Sequence, residues 1–592
     1  MVEKTIEIKR GQVLSDILPN KEIPTNTILN KTLTGCGATY GEIVHAKRHS
    51  IIIEPNVPVI LGKKAEHPSL FAVYEGITKE DVKAFLAGEE DGFRKIITTP
   101  EGFDKKVLPA MYETHTPMYD DYFLLLDECE KTIQDVGYRG DIYLPVEDFF
   151  RFKNKAMVSA TPILPSDPRF EEQNFEMVRI APTYDYRRPL TLCVTNNTVR
   201  ILRKLLVRLK DETVCIFINS TDTILGLIQT LKLEGRCKVF CADKSVRKLK
   251  QQNFTDVSDR LSELAGVNFF TSRFYSAVDI KLDYKPHVIV LTDVFHAPYS
   301  MIDPQTEVVQ AIGRFRNGIE QAYHITNTCD RLQSVSRDKL FHNLECQERI
   351  YNRIRELPIE GEIEHQTLTQ ALQGMDYKRF VTRTGNRNWF MWDNAWTDAR
   401  LEALYRSSAT IEEEYKDAPF QLAVHKVDYD LTDEDRLRRT QAQIKGTTEL
   451  WREVVEQIDR IQRQNPDAEQ TFLCEQLGDT FSEIIEAATI LGKERIGQLG
   501  YDRRKIKAAL ENVEENRLMT SEKMQRAVYA KYNTGDLVLC SEILGFLRGL
   551  ITDNGIPFKG RVDRQIVKLF FEIADDLSLI HISEPTRLRC IS

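Results

Sequence analysis

One stretch decides the fold of this chain: Tyr122-Phe123-Leu124-Leu125-Leu126-Asp127-Glu128-Cys129-Glu130, residues 122–130. Apolar residues fill its first half without a break, and carboxylates follow at once. A short apolar run that ends at polar residues is typical of a strand buried on both faces of a parallel sheet. Ligand sites in such sheets form at the carboxyl ends of the strands. The sequence therefore predicts a buried strand here, with a site at its end.

Further β-rich runs on both sides of this stretch alternate with helical or polar segments. This alternation predicts an α/β protein with two tandem lobes, each built on a parallel sheet with crossover helices. The expected strands are Thr27–Thr34, Ser50–Ile53, Lys95–Thr98, Tyr122–Leu126 and Ala156–Ser159 in the first lobe, and Val214–Ile218, Lys238–Cys241, Val267–Thr271, His287–Thr292 and Ala322–Ile325 in the second.

After residue 330 the pattern changes to long amphipathic runs, which predict a mainly α-helical C-terminal region. One such run places Leu450, Trp451, Val454, Val455, Ile458 and Ile461 on a single helix face. The expected organisation is a lead-in at 1–24, a first lobe at 25–185, a second lobe at 186–330, an aromatic and basic segment with a connector at 331–435, a helical domain at 436–576 and a tail at 577–592. The tail looks like translated sequencing adapter and is expected to be non-native.

Composition narrows the class of protein. The net charge of −9 excludes a histone-like basic coat but allows a local groove for nucleic acid. No apolar stretch approaches the roughly 20 residues that span a bilayer, and the N-terminus lacks a signal-peptide core, so a cytoplasmic protein without membrane contact is expected. The 11 cysteines lack the paired spacing of a zinc site and are expected to be reduced.

The acidic pair Asp127-Glu128 stands where the central strand of the first lobe should end. Two adjacent carboxylates there can divide the work of phosphoryl transfer. Asp127 would hold Mg²⁺ through water, and Glu128 would polarise the water that attacks the γ-phosphate of ATP. The alternative interpretation is an acidic pair that only caps the following helix.

A glycine-containing loop, Thr34-Gly35-Cys36-Gly37-Ala38-Thr39, follows the first predicted strand. Glycines let backbone amides approach phosphates, and the start of a helix favours anions, so Thr34, Gly35, Cys36, Gly37, Ala38 and Thr39 are candidate nucleotide-binding residues. Thr39 is also a candidate Mg²⁺ ligand. A standard phosphate loop has lysine where this chain has Ala38. Either Lys31 folds back to supply the missing charge, or the loop binds nucleotide weakly or not at all.

The order of these features resembles superfamily 2 helicases of the DEAD/DEAH-like kind, with a divergent phosphate loop, over residues 25–330. In the first lobe, Ile51–Pro55 with Asn56 is similar to the family's PT-type turn, and Thr99 with Gly102 matches its TP-G turn on the nucleic-acid backbone. Ser159-Ala160-Thr161 matches the SAT motif, in which Ser159 and Thr161 are implied to couple the nucleotide and nucleic-acid sites. The resemblance implies RecA-like lobes.

The second lobe carries further similarities. Ile216–Ser220 resembles the motif that opens the family's second domain, and Thr271 with Asp279 resembles its TS…GxD motif, with Ala277 in place of glycine. Gln310-Ala311-Ile312-Gly313-Arg314-Phe315-Arg316 is similar to QxxGRxxR, whose arginines reach the γ-phosphate. The resemblance implies catalytic roles for Gln310, Arg314 and Arg316, a nucleotide contact for Asp279 and a nucleic-acid contact for Thr271. It leaves open which arginine is the finger.

An aromatic and basic segment after residue 376 holds three of the four tryptophans. Bases of a single strand stack on such aromatic side chains beside cations, so Arg387 and Trp389 are candidate nucleic-acid contacts. The alternative is that these aromatic residues form a small core.

The expected function is an ATP-dependent nucleic-acid helicase or translocase with ATP and Mg²⁺ as cofactors. Two alternatives stay open: a catalytically degenerate helicase-like scaffold that binds nucleic acid, and a packaging-type ATPase. DNA is preferred to RNA as the expected partner, and the helical C-terminal region is a possible site for a protein partner. The unusual motor and its helical appendage suggest a phage or mobile element.

Overall fold

The computed structural model describes every residue except 1, 89–91, 277, 520, 557, 559–561, 576–578 and 586–592. The chain divides into two compact units, residues 1–429 and 430–592. Within the described residues, no helix combines the length and apolar character needed to cross a membrane.

The first lobe is built on an eight-stranded sheet in which every neighbouring pair is parallel. The strands are β1 Val2–Ile8, β2 Thr27–Asn30, β3 His49–Ile53, β4 Phe71–Val73, β5 Lys95–Thr98, β6 Tyr122–Asp127, β7 Asn154–Ser159 and β8 Glu176–Pro182. Their order is β1-β8-β2-β7-β6-β3-β5-β4, so β6 lies inside the sheet, and all of its residues are buried. Apolar clusters cover both faces.

The second lobe has its own eight-stranded, all-parallel sheet in the order β12-β11-β13-β10-β14-β15-β9-β16. Its strands are β9 Arg188–Thr195, β10 Val214–Phe217, β11 Cys237–Phe240, β12 Val257–Ser258, β13 Val267–Phe270, β14 His287–Thr292, β15 Gln321–Thr326 and β16 Phe420–Val427. Apolar clusters again cover both faces.

Helices connect the strands of both lobes. The α-helices of the first unit are Leu14–Ile17, Ala38–Val44, Val57–Glu66, Lys79–Ala87, Pro100–Gly102, Leu108–Glu113, Met118–Asp121, Lys131–Gln134, Leu144–Phe149, Arg169–Glu172, Thr198–Arg208, Thr221–Leu231, Asp243–Gln251, Arg273–Ser276, Glu307–Gly313, Arg337–Arg355, Glu362–Gln373, Trp389–Leu404 and Ser408–Lys416. Short 3₁₀ turns lie at Pro19–Lys21, Gly140–Tyr143, Pro298–Ser300 and Asp376–Phe380, and a π-helical turn lies at Phe103–Val107.

The second unit is mainly helical. Its helices are Asp433–Lys445, Thr447–Gln464, Gln470–Leu477, Ser482–Gln498, Arg503–Met519, Glu522–Lys531, Cys540–Asp553 and Arg564–Val567, with a 3₁₀ turn at Asp479–Phe481. The amphipathic face expected between Leu450 and Ile461 packs into its core. A small antiparallel sheet joins β17 Leu537–Leu539, β18 Phe571–Asp575 and β19 Leu579–Pro585 in the order β17-β19-β18.

These features confirm the predicted fold class of two parallel-sheet lobes followed by a helical region. The sequence pattern did not reveal six of these strands, namely β1, β4, β8, β9, β12 and β16. The lead-in at 1–24 contributes β1, and the connector within 331–435 contributes β16. Both strands are mostly exposed, so they lack the apolar pattern that marks a buried strand. The presumed tail contributes β19, its other residues lie outside the described ones, and its origin stays a prediction.

Candidate nucleotide-binding cleft

The parallel sheet of the first lobe brings the predicted acidic pair and the predicted loop to one edge. The loop follows β2, and Asp127 ends β6, with only β7 between these two strands. The Thr39 hydroxyl, at the start of helix Ala38–Val44, donates a hydrogen bond to Oδ2 of Asp127. Two residues 88 positions apart in sequence are thus in direct contact, as their shared candidate role as Mg²⁺ ligands requires.

The loop adopts the conformation that its glycines permit. Gly35 and Gly37 have φ of 77° and 89°, in the left-handed region that favours glycine. Helix Ala38–Val44 begins directly after Gly37, so its first backbone amides point toward the loop. A Cβ on Gly35 would lie 2.6 Å from Nη1 of Arg316, which belongs to the second lobe. The loop is therefore a cradle of backbone amides that a second-lobe arginine approaches closely.

Lys31 points into this site. Its Nζ lies 3.5 Å from Oδ1 of Asp127 and 3.3 Å from Oε1 of Glu128, and the residue is 7% exposed. Burial alone would lower the pKa of Lys31, but the carboxylates of Glu128 and Asp127 outweigh it and hold the pKa well above its usual range. The ammonium is therefore charged, and it lies beside the acidic pair at the loop in which Ala38 replaces the standard lysine.

The carboxylate of Glu128 is contacted by cationic and polar side chains from both lobes. Burial would raise the pKa of Glu128, but the charges of Lys31 and Arg314 and the amide of Gln310 hold it below its usual value. Nε2 of Gln310 donates to Oε2 over 3.1 Å, and Nη2 of Arg314 lies 3.8 Å from Oε1. The carboxylate is thus ionised, as a group that accepts a proton must be. Its φ of 46° is uncommon outside glycine, and such backbone strain concentrates at functional sites.

Gln310 connects the acidic motif to Thr161. Its Nε2 lies 3.3 Å from Oε1 of Glu130 and 3.3 Å from Oγ1 of Thr161, in addition to its bond to Glu128. The amide of Thr161 donates to Oγ of the buried Ser159 over 2.9 Å. The two residues expected to couple the sites therefore reach the second lobe through one glutamine.

The two candidate arginines occupy different places. Arg314 is 4% exposed, donates to Oε1 of Gln310 over 2.7 Å and faces Glu128. Arg316 lies over Gly35 and donates to Oδ1 of Asp279 over 2.6 Å. Nη1 of Arg314 lies 3.7 Å from the same oxygen, so both arginines hold Asp279 beside the loop. Arg314 is the arginine adjacent to the acidic pair.

Contacts between the lobes continue along the loop. Oγ1 of Thr34 donates to the carbonyl of Gly313 over 3.3 Å, and a Cβ on Gly313 would lie 2.6 Å from Cγ2 of Thr34. Sγ of Cys36 lies 3.9 Å from the carbonyl of Lys31 and is buried. Glycine at 313 is thus what lets the second lobe approach the front of the loop.

Two acidic residues at this edge were not predicted as site residues, although Glu54 lies in the PT-type turn and Glu130 in the acidic motif. Glu54 follows β3, whose Ile53 pairs with Leu126, so it stands level with Asp127. It is 2% exposed, and burial together with Asp127 and Glu128 raises its pKa. Burial and Glu128 raise the pKa of Glu130 to about 8. The available signal was that Glu54 directly follows β3 and that Glu130 lies within three residues of the end of β6.

The predicted nucleic-acid contacts of the first lobe begin just after Thr98, whose carbonyl accepts a hydrogen bond from the amide of Glu54 over 2.9 Å. Oγ1 of Thr99 accepts from the amide of Gly102 over 3.0 Å and caps the short helix there. That turn is joined to the PT-type turn by Arg139, which pairs with Glu101 at 2.9 Å and donates to the carbonyl of Pro55 over 2.8 Å. The buried Thr271 directs its hydroxyl toward the carbonyl of Phe240 at 3.5 Å. Ala277, at the glycine position of that motif, lies outside the described residues.

The aromatic segment packs against the first lobe. Trp392 is fully buried in the apolar cluster of that lobe, and Trp389 packs on it. The guanidinium of Arg387 lies 4.4 Å from the ring of Trp389 and bonds to Glu348. These contacts favour the small-core alternative, and a nucleic-acid contact at Arg387 and Trp389 stays a prediction.

No protein-family model and no curated protein matches this sequence. Among solved structures, the chain is similar to S. cerevisiae Dbp5 bound to RNA and ADP BeF3, with 14% identity and a TM-score of 0.34 over 51% of this chain and 80% of that chain. It is similar to the DEAD-box helicase Mss116 bound to ssRNA and UDP-BeF, with 11% identity and a TM-score of 0.39 over 86% of this chain and 99% of that one. A third similar structure is the Mycobacterium smegmatis helicase Lhr bound to ssDNA and AMP-PNP, with 12% identity and a TM-score of 0.35. The match covers 59% of this chain and 51% of that chain. These likenesses are too distant to assign a function.

Proposed function

We propose that this chain is an ATP-hydrolysing nucleic-acid motor of the superfamily 2 helicase type. One observation carries the proposal: the ionised carboxylate of Glu128 is approached by Lys31 from the first lobe and by Gln310 and Arg314 from the second. A carboxylate buried between two lobes, with cations on both sides, is suited to a reaction in which negative charge develops as a phosphoryl group transfers.

The residues present fit a nucleotide with its metal. Gly35 and Gly37 form a cradle of amides before a helix start, which suits phosphate oxygens. Thr39 and Asp127 offer a hydroxyl and a carboxylate in contact, and Mg²⁺ binds through few protein oxygens because it keeps most of its water. Bound ATP and Mg²⁺ would supply the phosphoanhydride and the charge neutralisation of the reaction.

The protein's own groups would then divide the work. Lys31, Gly35 and Gly37 hold the phosphates, and Glu128 accepts the proton of the attacking water. Arg314 is the better placed finger because it already faces Glu128, whereas Arg316 is held by Asp279 over the loop. Gln310 joins the reacting carboxylate to Thr161, so a change at the cleft reaches the SAT motif directly.

Nucleic acid is the proposed substrate of the motor, with DNA preferred. The support is the motif order, in which Thr99, Gly102 and Thr271 occupy the positions that contact the strand backbone in superfamily 2 helicases. We further propose a cytoplasmic location and a protein partner at the helical unit. No feature of the described residues supports a phage or mobile-element role, and none is proposed.

ATP turnover with and without single-stranded DNA or RNA tests the proposal. We expect turnover in the wild type, loss in Glu128→Gln and loss in Lys31→Ala. Lys47→Ala is the matched control, because Lys47 is exposed just after helix Ala38–Val44. If the wild type binds nucleic acid but does not hydrolyse ATP, the motor hypothesis is wrong and the chain is a catalytically degenerate scaffold.

A further inference from the structure

Helix Trp389–Leu404, which contains most of the aromatic segment, is anchored in the first lobe at its beginning. Trp392 is fully buried in the apolar cluster of that lobe. The carboxylate of Asp393 accepts hydrogen bonds from the amide of Ser166, over 2.7 Å, and from its hydroxyl. Ser166 lies between β7 and β8, so this end of the helix is fixed to the first-lobe sheet region.

The same helix is anchored in the second lobe at its end. Arg400 pairs with Asp303 and donates to Oε1 of Glu414 over 2.7 Å. Leu404 and the following Tyr405 are buried in the apolar cluster of the second lobe. The Tyr405 hydroxyl donates to the carbonyl of Ile302 over 2.7 Å.

Asn394, which follows Asp393 near the beginning of the helix, contacts the first lobe and is connected through Gln134 to the second. Nδ2 of Asn394 donates to the carbonyl of Gln134 over 3.2 Å, and Nε2 of Gln134 donates to Oγ1 of Thr306 over 2.9 Å. Gln134 ends the helix that follows the acidic motif, and Thr306 immediately precedes helix Glu307–Gly313, which carries Gln310. One chain of hydrogen bonds therefore joins this helix to both sides of the cleft.

We propose that helix Trp389–Leu404 is a strap that holds the two lobes together, and that Asn394 and Gln134 are positioning residues which fix Gln310 against Glu128. The strap has 16 residues, and about 1.5 Å of rise per residue gives it a length of roughly 24 Å. It contains neither glycine nor proline, so it is a rigid connection. The consequence for catalysis rests on the proposed ATPase function, but the mechanical role does not.

The test compares two substitutions at Asp398, an exposed residue between the two anchors. Asp398→Pro interrupts the helix because its ring clashes with the carbonyl of Asn394 and its amide is lost. Asp398→Ala removes the same carboxylate and keeps the helix. Labels at the exposed Leu61 and Val207, one on each lobe, report the distance between the lobes in the full chain without nucleotide or nucleic acid.

We expect a narrow distance distribution in the wild type and in Asp398→Ala, and a broad one in Asp398→Pro. Equal distributions in all three proteins would overturn the strap, whether narrow or broad. If Asp398→Pro does not fold, Asp398→Gly serves instead, because glycine weakens a helix interior relative to alanine and should broaden the distribution in the same direction. The label distances need no ATP turnover, so they stand even if the proposed function fails.

The positioning role has its own readout. Gln134→Ala should lower kcat for ATP in the absence of nucleic acid by about tenfold or more while leaving KM within about twofold, because small misplacements of catalytic groups cost rate more than binding. Gln134→Glu keeps an acceptor but removes the donor to Thr306, and it should show the same loss. If kcat is unchanged in both Gln134→Ala and Gln134→Glu, Gln134 is not a positioning residue.

Discussion

The two sides of the cleft differ in how they are built. The first lobe contributes Lys31, Thr39, Asp127 and Glu128 from the carboxyl ends of two buried strands of one parallel sheet and from the segments that follow them. The second lobe contributes its polar groups from the seven-residue helix Glu307–Gly313 and the residues just after it. The first side is suited to hold phosphate and metal at fixed positions. The second side is suited to sense them, because it reaches the carboxylates only when the lobes are together.

Glu128 should give the largest effect, since both sides converge on it. Glu128→Gln keeps the shape and the contact to Gln310 but cannot accept a proton. We expect kcat for ATP to fall by about 10³-fold, within the range for loss of a general base, with ATP affinity little changed. Steady-state turnover and nucleotide binding measure the two quantities separately. An equal loss of affinity would mean that Glu128 holds the nucleotide rather than activating water.

The roles of the two second-lobe arginines, Arg314 and Arg316, can be distinguished by replacing each of them. Arg314→Ala should lower kcat by about 10²-fold to 10³-fold, the range for loss of one preorganised donor, if this guanidinium stabilises the transferring phosphoryl group. Arg316→Ala should act mainly on ATP affinity, because Arg316 lies over Gly35 and beside Asp279. Measuring kcat and KM for ATP in both variants shows which arginine is the finger. The reverse pattern would make Arg316 the finger.

The second lobe should also lose stability at low pH, because it contains a buried histidine. This effect should be smaller than the losses of turnover described above. His324 is fully buried in the second lobe, 2.7 Å from the Tyr415 hydroxyl, and burial lowers its pKa to about 3. The unfolded chain binds a proton near its ordinary pKa of 6.5, and the folded chain does not, so stability contributed here is lost as the pH falls below 6.5. The loss can reach about 1.4 kcal/mol per pH unit.

Replacing His324 by glutamine should make the urea midpoint fall less between pH 7 and pH 5. The exposed His342 offers a matched control, and His342→Gln should keep the wild-type slope. Identical slopes for all three proteins would show that acid sensitivity arises elsewhere.

The sequence alone predicted the strands that are buried on both faces, because an uninterrupted apolar run such as Tyr122–Leu126 is too short for a buried helix and too apolar for a surface loop. It did not predict β1 or β16, whose exposed residues resemble those of a loop. The acidic pair was found because it directly follows an apolar run, and the glycine loop because it follows a β-branched run and precedes a helix start. Their direct contact through Thr39 and Asp127 depends on strand order, which no local pattern encodes.

Other features of the cleft depend on long-range packing. That Gln310 bonds to Glu128 is a contact between residues 182 positions apart, and only the arrangement of the lobes creates it. The aromatic segment also shows that sequence composition alone does not predict long-range packing. Its composition suits stacking on bases, yet Trp392 is buried in the first lobe and Tyr405 in the second. Composition shows that aromatic residues are concentrated there but not what covers them.

The central claim is that Lys31 supplies the charge missing at Ala38, and the most direct measurement is ATP affinity across a rescue series. Lys31→Ala should weaken ATP binding by about 10²-fold or more, since a charged partner of the phosphates is lost. The double variant Lys31→Ala with Ala38→Lys should recover at least tenfold of that loss, because a lysine returns to the helix start beside Thr39. An unchanged affinity in Lys31→Ala would contradict the claim.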